Sequence, residues 1–228
     1  KNNPLQIDSD LDGDGDECDY DDDNDGITDN SGDDCPRGGA WNWTSDSTTD
    51  FDNDGCKDSS EDNDDDNDGV EDQDDSCLSS YSPPRNWWTS DSSNDLDGDG
   101  CRDADEDSDD DGDGFDDSSD DCNKVAGTST LGTYTGCVDS DNDGWADIED
   151  SCPQEAGNST MSGLLACPDT DGDGWADSID DLPEDSTQWI DQDGDGYGDN
   201  QDGNNPDSCV STSGTSVLDR YGCPDPDM

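Results

Sequence analysis

Apolar positions along this chain are sparse and form no long block. No apolar run approaches the length needed to span a membrane. The aromatic residues gather in two inserts, Trp41 with Trp43 and Trp87 with Trp88, the second having Tyr81 and Pro83-Pro84 nearby. Others stand singly just after a recurring glycine, as Trp145, Trp175 and Tyr197 do. Between them run polar stretches in which an acidic twelve-residue pattern recurs, its closest copies 13 or 14 residues apart. That interval leaves no room for a helix between copies. A single helical turn over Trp145–Asp150 still fits the spacing.

Composition sharpens this expectation. Hydrophobic residues make up 23% of the 228, about half the globular norm, and mean hydropathy is -1.28. Such a chain cannot bury enough apolar surface to offset the entropy of ordering it, so a conventional core is excluded. The formal net charge of -62, from 69 acidic against 7 basic residues, excludes nucleic acid and anionic membrane surfaces as partners. Taken alone, these figures describe a disordered acidic tail. Two details oppose that reading. The acids are 62 Asp to 7 Glu, and Asp is the shorter ligand, suited to tight turns around a hard cation. There are also 11 cysteines, a density that points to disulfides in an oxidising, extracellular setting. Histidine is absent and every cysteine has a plausible partner role, so zinc is not expected.

The repeat places acids at positions 1, 3, 5, 9 and 12 and glycine at 6. Its nine copies fill 44 of 45 acidic slots, where chance at this Asp content would fill roughly 12. Copy one uses Asp8, Asp10, Asp12, Asp16 and Asp19; copy two uses Asp21, Asp23, Asp25 and Asp29, with Gly32 at position 12 and the acid displaced to Asp33. Copies three and four use Asp50, Asp52, Asp54, Asp58 and Glu61, then Asp64, Asp66, Asp68, Asp72 and Asp75. Copies five and six use Asp95, Asp97, Asp99, Asp103 and Glu106, then Asp109, Asp111, Asp113, Asp117 and Asp120. Copies seven, eight and nine use Asp139, Asp141, Asp143, Asp147 and Asp150; Asp169, Asp171, Asp173, Asp177 and Asp180; and Asp191, Asp193, Asp195, Asp199 and Asp202. Side chains at 1, 3 and 5 of a curled loop converge on one point, and glycine at 6 permits the sharp turn beyond them. Three carboxylates, a carbonyl near position 7 and water complete the six to eight oxygens preferred by Ca²⁺, whereas Mg²⁺ demands stricter octahedral geometry. Acids at 9 and 12 face the next loop and can hold a second ion there. Two ions per loop would give on the order of 15–20 Ca²⁺, enough to neutralise more than half of the charge.

EF-hands and dockerin modules also begin D-x-D-x-D-G, but both need flanking helices. The stretch from Asn3 to Asp29, N-P-L-Q-I-D-S-D-L-D-G-D-G-D-E-C-D-Y-D-D-D-N-D-G-I-T-D, continuing to Asp34-Cys35-Pro36, resembles the thrombospondin type 3 repeats nearly residue for residue. The motif recurs in all nine loops as D-x-D-x-D-G-x-x-D-x-x-D-x-C or close to it. The resemblance implies an extracellular chain whose fold is irregular, mostly loops with little regular secondary structure, an elongated array wrapped around a string of calcium ions and stapled by disulfides between repeats. The long Ser/Thr/Trp inserts depart from the animal proteins and look closer to prokaryotic or archaeal surface proteins with such repeats. Partners of the animal family are therefore not carried over.

The domain reading is one continuous rod: residues 1–36 hold repeats one and two, 37–122 two 45-residue units with Trp-rich inserts and paired loops, 123–182 two 30-residue units, and 183–228 a terminal unit ending mid-repeat. Cysteines alternate between a place after an acidic loop end and a place in the next repeat. Connectivity is open from sequence alone; joining each to its successor gives Cys35–Cys56, Cys77–Cys101, Cys122–Cys137, Cys152–Cys167 and Cys209–Cys223. Cys18 is left over, and its alternate would precede residue 1. Both ends look cut mid-repeat, so the expectation is a segment of a longer array, or a subunit whose end sites are completed by neighbouring copies of itself.

Asn42-Trp43-Thr44 and Asn158-Ser159-Thr160 are glycosylation sequons. The Trp clusters read either as sugar- or protein-binding platforms or, in the blander reading, as apolar plugs on a disulfide. Enzymatic activity is not expected: no core exists to raise a catalytic carboxyl, His is absent, and the loop glycines sit among acids that would repel phosphate. Three functions remain open. They are a calcium-rigidified stalk, spacer or filament subunit of a microbial surface, an adhesin using Trp-rich inserts, and a calcium store without a fixed fold.

Overall fold

A computed structural model describes residues 7–39, 43–78, 88–218 and 220–225. The chain divides into two compact units, Lys1–Asp110 and Asp111–Met228, the division falling inside the sixth loop. Among the described residues there is no helix and no strand, and one parallel bridge pairs Leu131 with Trp145. The expected turn over Trp145–Asp150 forms as an isolated turn: the amides of Glu149 and Asp150 both donate to the Ala146 carbonyl, at 2.8 and 2.9 Å. Residues 176–180 repeat it on Ala176. No helix among the described residues is long and apolar enough to cross a membrane.

Regularity comes from the loops. In eight of the nine, loop six aside, the position-9 amide donates to the carbonyl of the residue before position 1, closing the loop on itself. Asp16 reaches Ile7, Asp58 reaches Thr49, Asp147 reaches Val138 and Asp199 reaches Ile190, at 2.8–3.2 Å. The position-9 carboxylate then accepts the position-2 amide, as Asp58 does from Phe51 at 3.1 Å and Asp147 from Ser140 at 2.8 Å. Backbone donors that a helix would satisfy internally are satisfied here by aspartate side chains.

Neither unit has an oily interior. In the first unit the buried residues include Cys56, Cys101 and Trp88 together with Asp16, Asp22, Asp23, Asp25, Asp33, Asp50, Asp52, Asp66, Asp68, Asp95 and Asp110. In the second they are chiefly Ala146, Ala166, Ala176, the cysteines Cys137, Cys167 and Cys223, and the hydroxyl residues Ser129 and Ser159. Five disulfides are present, Cys35–Cys56, Cys77–Cys101, Cys122–Cys137, Cys152–Cys167 and Cys209–Cys223, each joining successive cysteines. Cys18 is an exposed thiol outside these bonds.

The described tryptophans of the two inserts lie against the residues that follow Cys56 and Cys101. Lys57 lies over the ring of Trp43 at 5.7 Å and Arg102 over that of Trp88 at 6.0 Å. Trp88 is 8% exposed, which fits a plug better than an open platform. Trp41, Trp87, Tyr81 and Pro83-Pro84 lie outside the described residues, as does Asn42. In the second unit Ser129 and Ser159 each accept the amide of a cysteine, Cys137 or Cys167, at 2.9 Å and donate onward to a carbonyl. Between loops eight and nine no cysteine is available, and Gln188 serves instead. Its amide nitrogen donates to the carbonyls of Asn200 and Asn204, and its oxygen accepts the Asn200 amide at 2.9 Å.

Candidate metal centres

Each loop curls through two left-handed residues. Glycine at position 6 has φ between 85° and 106° in all nine copies, a region that side chains rarely adopt. Position 4 is left-handed as well: Asn24, Asn53, Asn67 and Asn142, the glycines Gly98, Gly112, Gly172 and Gly194, and Leu11 at φ 64°. Asparagine and glycine are the residues that tolerate this backbone, and their alternation at position 4 is a visible signal that the acid pattern alone overlooks.

With that curl in place, the backbone pins one oxygen of most of the converging carboxylates. Position 1 accepts the amide of the position-6 glycine, as Asp50 from Gly55 at 3.1 Å and Asp169 from Gly174 at 2.8 Å. Position 3 accepts the amide of position 5, and position 5 that of position 7; Asp173 meets Asp171 at 3.2 Å and Trp175 meets Asp173 at 2.8 Å. The remaining oxygens point inward. Asp8, Asp10 and Asp12 bring ligand atoms within 4.8 Å of one another, as do Asp21, Asp23 and Asp25, then Asp50, Asp52 and Asp54, and then Asp64, Asp66 and Asp68. Asp58, Asp62 and Asp65 form a triad of another kind, between loops three and four, and six further groups meet the same limit.

Buried carboxylate oxygens without a hydrogen-bond partner test whether these triads fit a cation. They include one oxygen each of Asp8, Asp21, Asp25, Asp33, Asp141, Asp150, Asp171, Asp173 and Asp199, and both of Asp111 and Asp193. An unpaired buried carboxylate oxygen is costly. Repetition of that cost from loop to loop fits a hard, oxygen-preferring ion such as Ca²⁺ at the point of convergence. Without a cation the same crowding lifts the carboxyls. Burial first, and neighbouring carboxylates after it, push Asp33, Asp52 and Asp65 up to about 7, and Asp25, Asp54, Asp75 and Asp97 up to about 6. Asp111, Asp141, Asp150, Asp171, Asp180, Asp193 and Asp199 are raised as well, with burial the largest cause in each.

Three placements differ from the twelve-residue frame. The carboxylate that ends each loop caps the amide two residues on, as Asp75 does for Cys77, Asp150 for Cys152 and Asp180 for Leu182, at 2.6–2.7 Å. In loops three and five this cap is Asp62 or Asp107, at position 13, rather than Glu61 or Glu106. The extra residue expected only in loop two, where Asp33 caps Cys35, thus occurs three times. Glu61 is redirected: a Cβ on Gly38 would lie 2.9 Å from both Glu61 carboxylate oxygens and from Asp23 Oδ2, so Glu61 sits beside loop two. In loop nine Asp202 is exposed, because an Asn/Gly insertion follows it, and buried Asp207 caps Cys209 at 2.7 Å instead.

Cross-loop contacts tie the sites together. Asn67 of loop four donates to Asp52 of loop three at 2.7 Å, and Asn24 of loop two donates to Asp10 of loop one. Gly127, Gly157 and Gly214, each five residues after a cysteine, donate to the position-5 carboxylates Asp113, Asp143 and Asp195 at 2.8–2.9 Å. A Cβ there would lie 1.9–2.1 Å from the carbonyl carbon of Cys137, Cys167 or Cys223. Asn158 is exposed, between the buried Ser159 and the loop-seven donor Gly157.

No curated protein matches the chain. Residues 7–41 and 138–159, which contain loops one, two and seven, match the family model of the thrombospondin type 3 repeat. Repeats of this family are extracellular calcium-binding modules, a character that agrees with the disulfides and the convergent carboxylates. In these two segments the chain is similar to thrombospondin type 3 repeats.

Proposed function

We propose that this chain is a structural calcium-binding array of a microbial cell surface, a stalk, spacer or filament subunit made rigid by its ions. The observation carrying the reading is the run of buried carboxylates with unpaired oxygens in a protein whose apolar interior is little more than cysteine and alanine. The aspartates at positions 1, 3 and 5, with the position-9 and terminal acids, would hold the ions. Bound Ca²⁺ supplies charge neutralisation, replacing repulsion among carboxylates with shared attraction. At about two ions per loop, most of the negative charge would be balanced. The 45- and 30-residue units would then be successive segments of one array, open to neighbouring copies or to a longer parent chain.

Electron microscopy of the calcium-loaded protein tests this. Thin, extended particles or filaments are expected, and compact spheroids would contradict a stalk or spacer role. An adhesin reading through the Trp inserts is less favoured, because Trp88 is buried beneath Arg102.

A further inference from the structure

Loops one and two meet at a junction built like the one between loops three and four. In each, the position-9 acid of the first loop, the acid capping that loop and the position-2 acid of the second form a set: Asp16, Asp19 and Asp22 in one, Asp58, Asp62 and Asp65 in the other. The corresponding atoms behave alike. Asp16 and Asp58 each turn Oδ1 to the position-2 amide of their own loop, at 3.0 and 3.1 Å. Asp19 and Asp62 each cap the amide two residues on, at 3.3 and 3.0 Å. Asp22 and Asp65 each donate their amide to the position-9 acid of the second loop, at 2.9 Å. Both also keep a buried Oδ1 without a hydrogen-bond partner. Asp58, Asp62 and Asp65 converge within 4.8 Å, the spacing of a metal triad.

At the first junction a cation is already present. Nε of Arg37, which follows Cys35-Pro36, lies 2.9 Å from Asp16 Oδ2 and 3.0 Å from Asp22 Oδ2. The carboxylates are buried, with side chains 4% and 2% exposed, while the arginine approaches from the solvent side and is 58% exposed. One donor shared between two sealed carboxylates is the arrangement of a counter-ion spanning a pair of ligands.

We propose that the Arg37 guanidinium is an internal substitute for a divalent cation at the junction of loops one and two, and that its removal uncovers a metal site formed by Asp16, Asp19 and Asp22. The inference rests on the calcium reading of the loops. A guanidinium supplies one positive charge where a divalent ion supplies two, and it cannot be removed by a chelator. The first pair of loops would therefore keep its junction when free calcium falls.

Native mass spectrometry of the full, disulfide-intact chain in saturating calcium counts bound ions directly. Arg37→Gln is expected to bind one ion more than the parent, Arg37→Lys the same number as the parent, and the Arg37→Gln, Asp22→Asn double variant to fall back by one. An Arg37→Gln count equal to the parent's would overturn the proposal. So would a lower count, which would make Arg37 a clamp that the neighbouring sites require. A parent chain that binds no calcium would instead overturn the calcium reading, a result distinct from either.

Discussion

Position 4 of every loop asks for a left-handed backbone, and the chain answers with asparagine or glycine at eight of the nine. Leu11 is the exception, at φ 64° and 69% exposed, so it carries the strain of a side chain in this region with no burial to offset it. A left-handed L-residue costs roughly 1–2 kcal/mol, less for asparagine, whose short polar side chain tolerates the region. Leu11→Asn should therefore stabilise loop one by about 1 kcal/mol, or about five-fold in its opening equilibrium. The readout is amide exchange at Asp16, whose N–H closes the loop onto Ile7 at 3.2 Å. Unchanged or faster exchange in Leu11→Asn would mean that the leucine is held there by something other than the turn.

Loop and insert meet closely where Gly157 lies against the backbone of Cys167. Its amide donates to Asp143 at 2.9 Å, and a Cβ would lie 1.9 Å from the Cys167 carbonyl carbon. Gly157→Ala cannot be absorbed by a side-chain shift, because the obstacle is backbone. It should cost at least about 2 kcal/mol and weaken calcium at loop seven, measurable by thermal unfolding and titration against Gly39→Ala, where a Cβ meets only Glu61 Oε1 at 3.6 Å. Equal losses in the two variants would remove the close approach as the cause. The convergence of carboxylates at 1, 3 and 5 was legible in the sequence because a carboxylate recurring at fixed offsets from one glycine reports a single local curl. Disulfide connectivity was open in the sequence, and the structure joins each cysteine to its successor from Cys35 onward. What escaped depends on contacts between segments. Gly157 looks like any loop glycine until the Cys167 carbonyl is beside it, and Glu61 fits position 12 until it is found beside Gly38 and Asp23. Asp62 and Asp107 were hidden by a one-residue extension that only the capping hydrogen bonds reveal.

On the scale of the whole molecule, carboxylate crowding sets opposite pH responses with and without metal. In the metal-free chain burial raises Asp33, Asp52 and Asp65 from 3.8 to about 7. A folded-state pKa above the unfolded one means that protons favour the fold: this contribution is complete below the unfolded value and is lost as pH rises through about 7. Chelated protein should thus be more compact near about pH 4.5 than near about pH 7.5. Calcium must displace those protons, so its binding should strengthen across the same window. X-ray scattering of chelated samples and calcium titrations at the two pH values check both signs, and pH-independent results in both would separate the fold from its carboxylates. The central claim is that metal ions do the work of a hydrophobic interior. Hydrogen exchange of the disulfide-intact chain, with calcium and then with excess chelator at neutral pH, tests it most directly. The amides of Asp58, Asp147 and Asp199, which close their loops, should be protected with calcium and lose that protection when it is withdrawn. Equal protection in both conditions would contradict the claim.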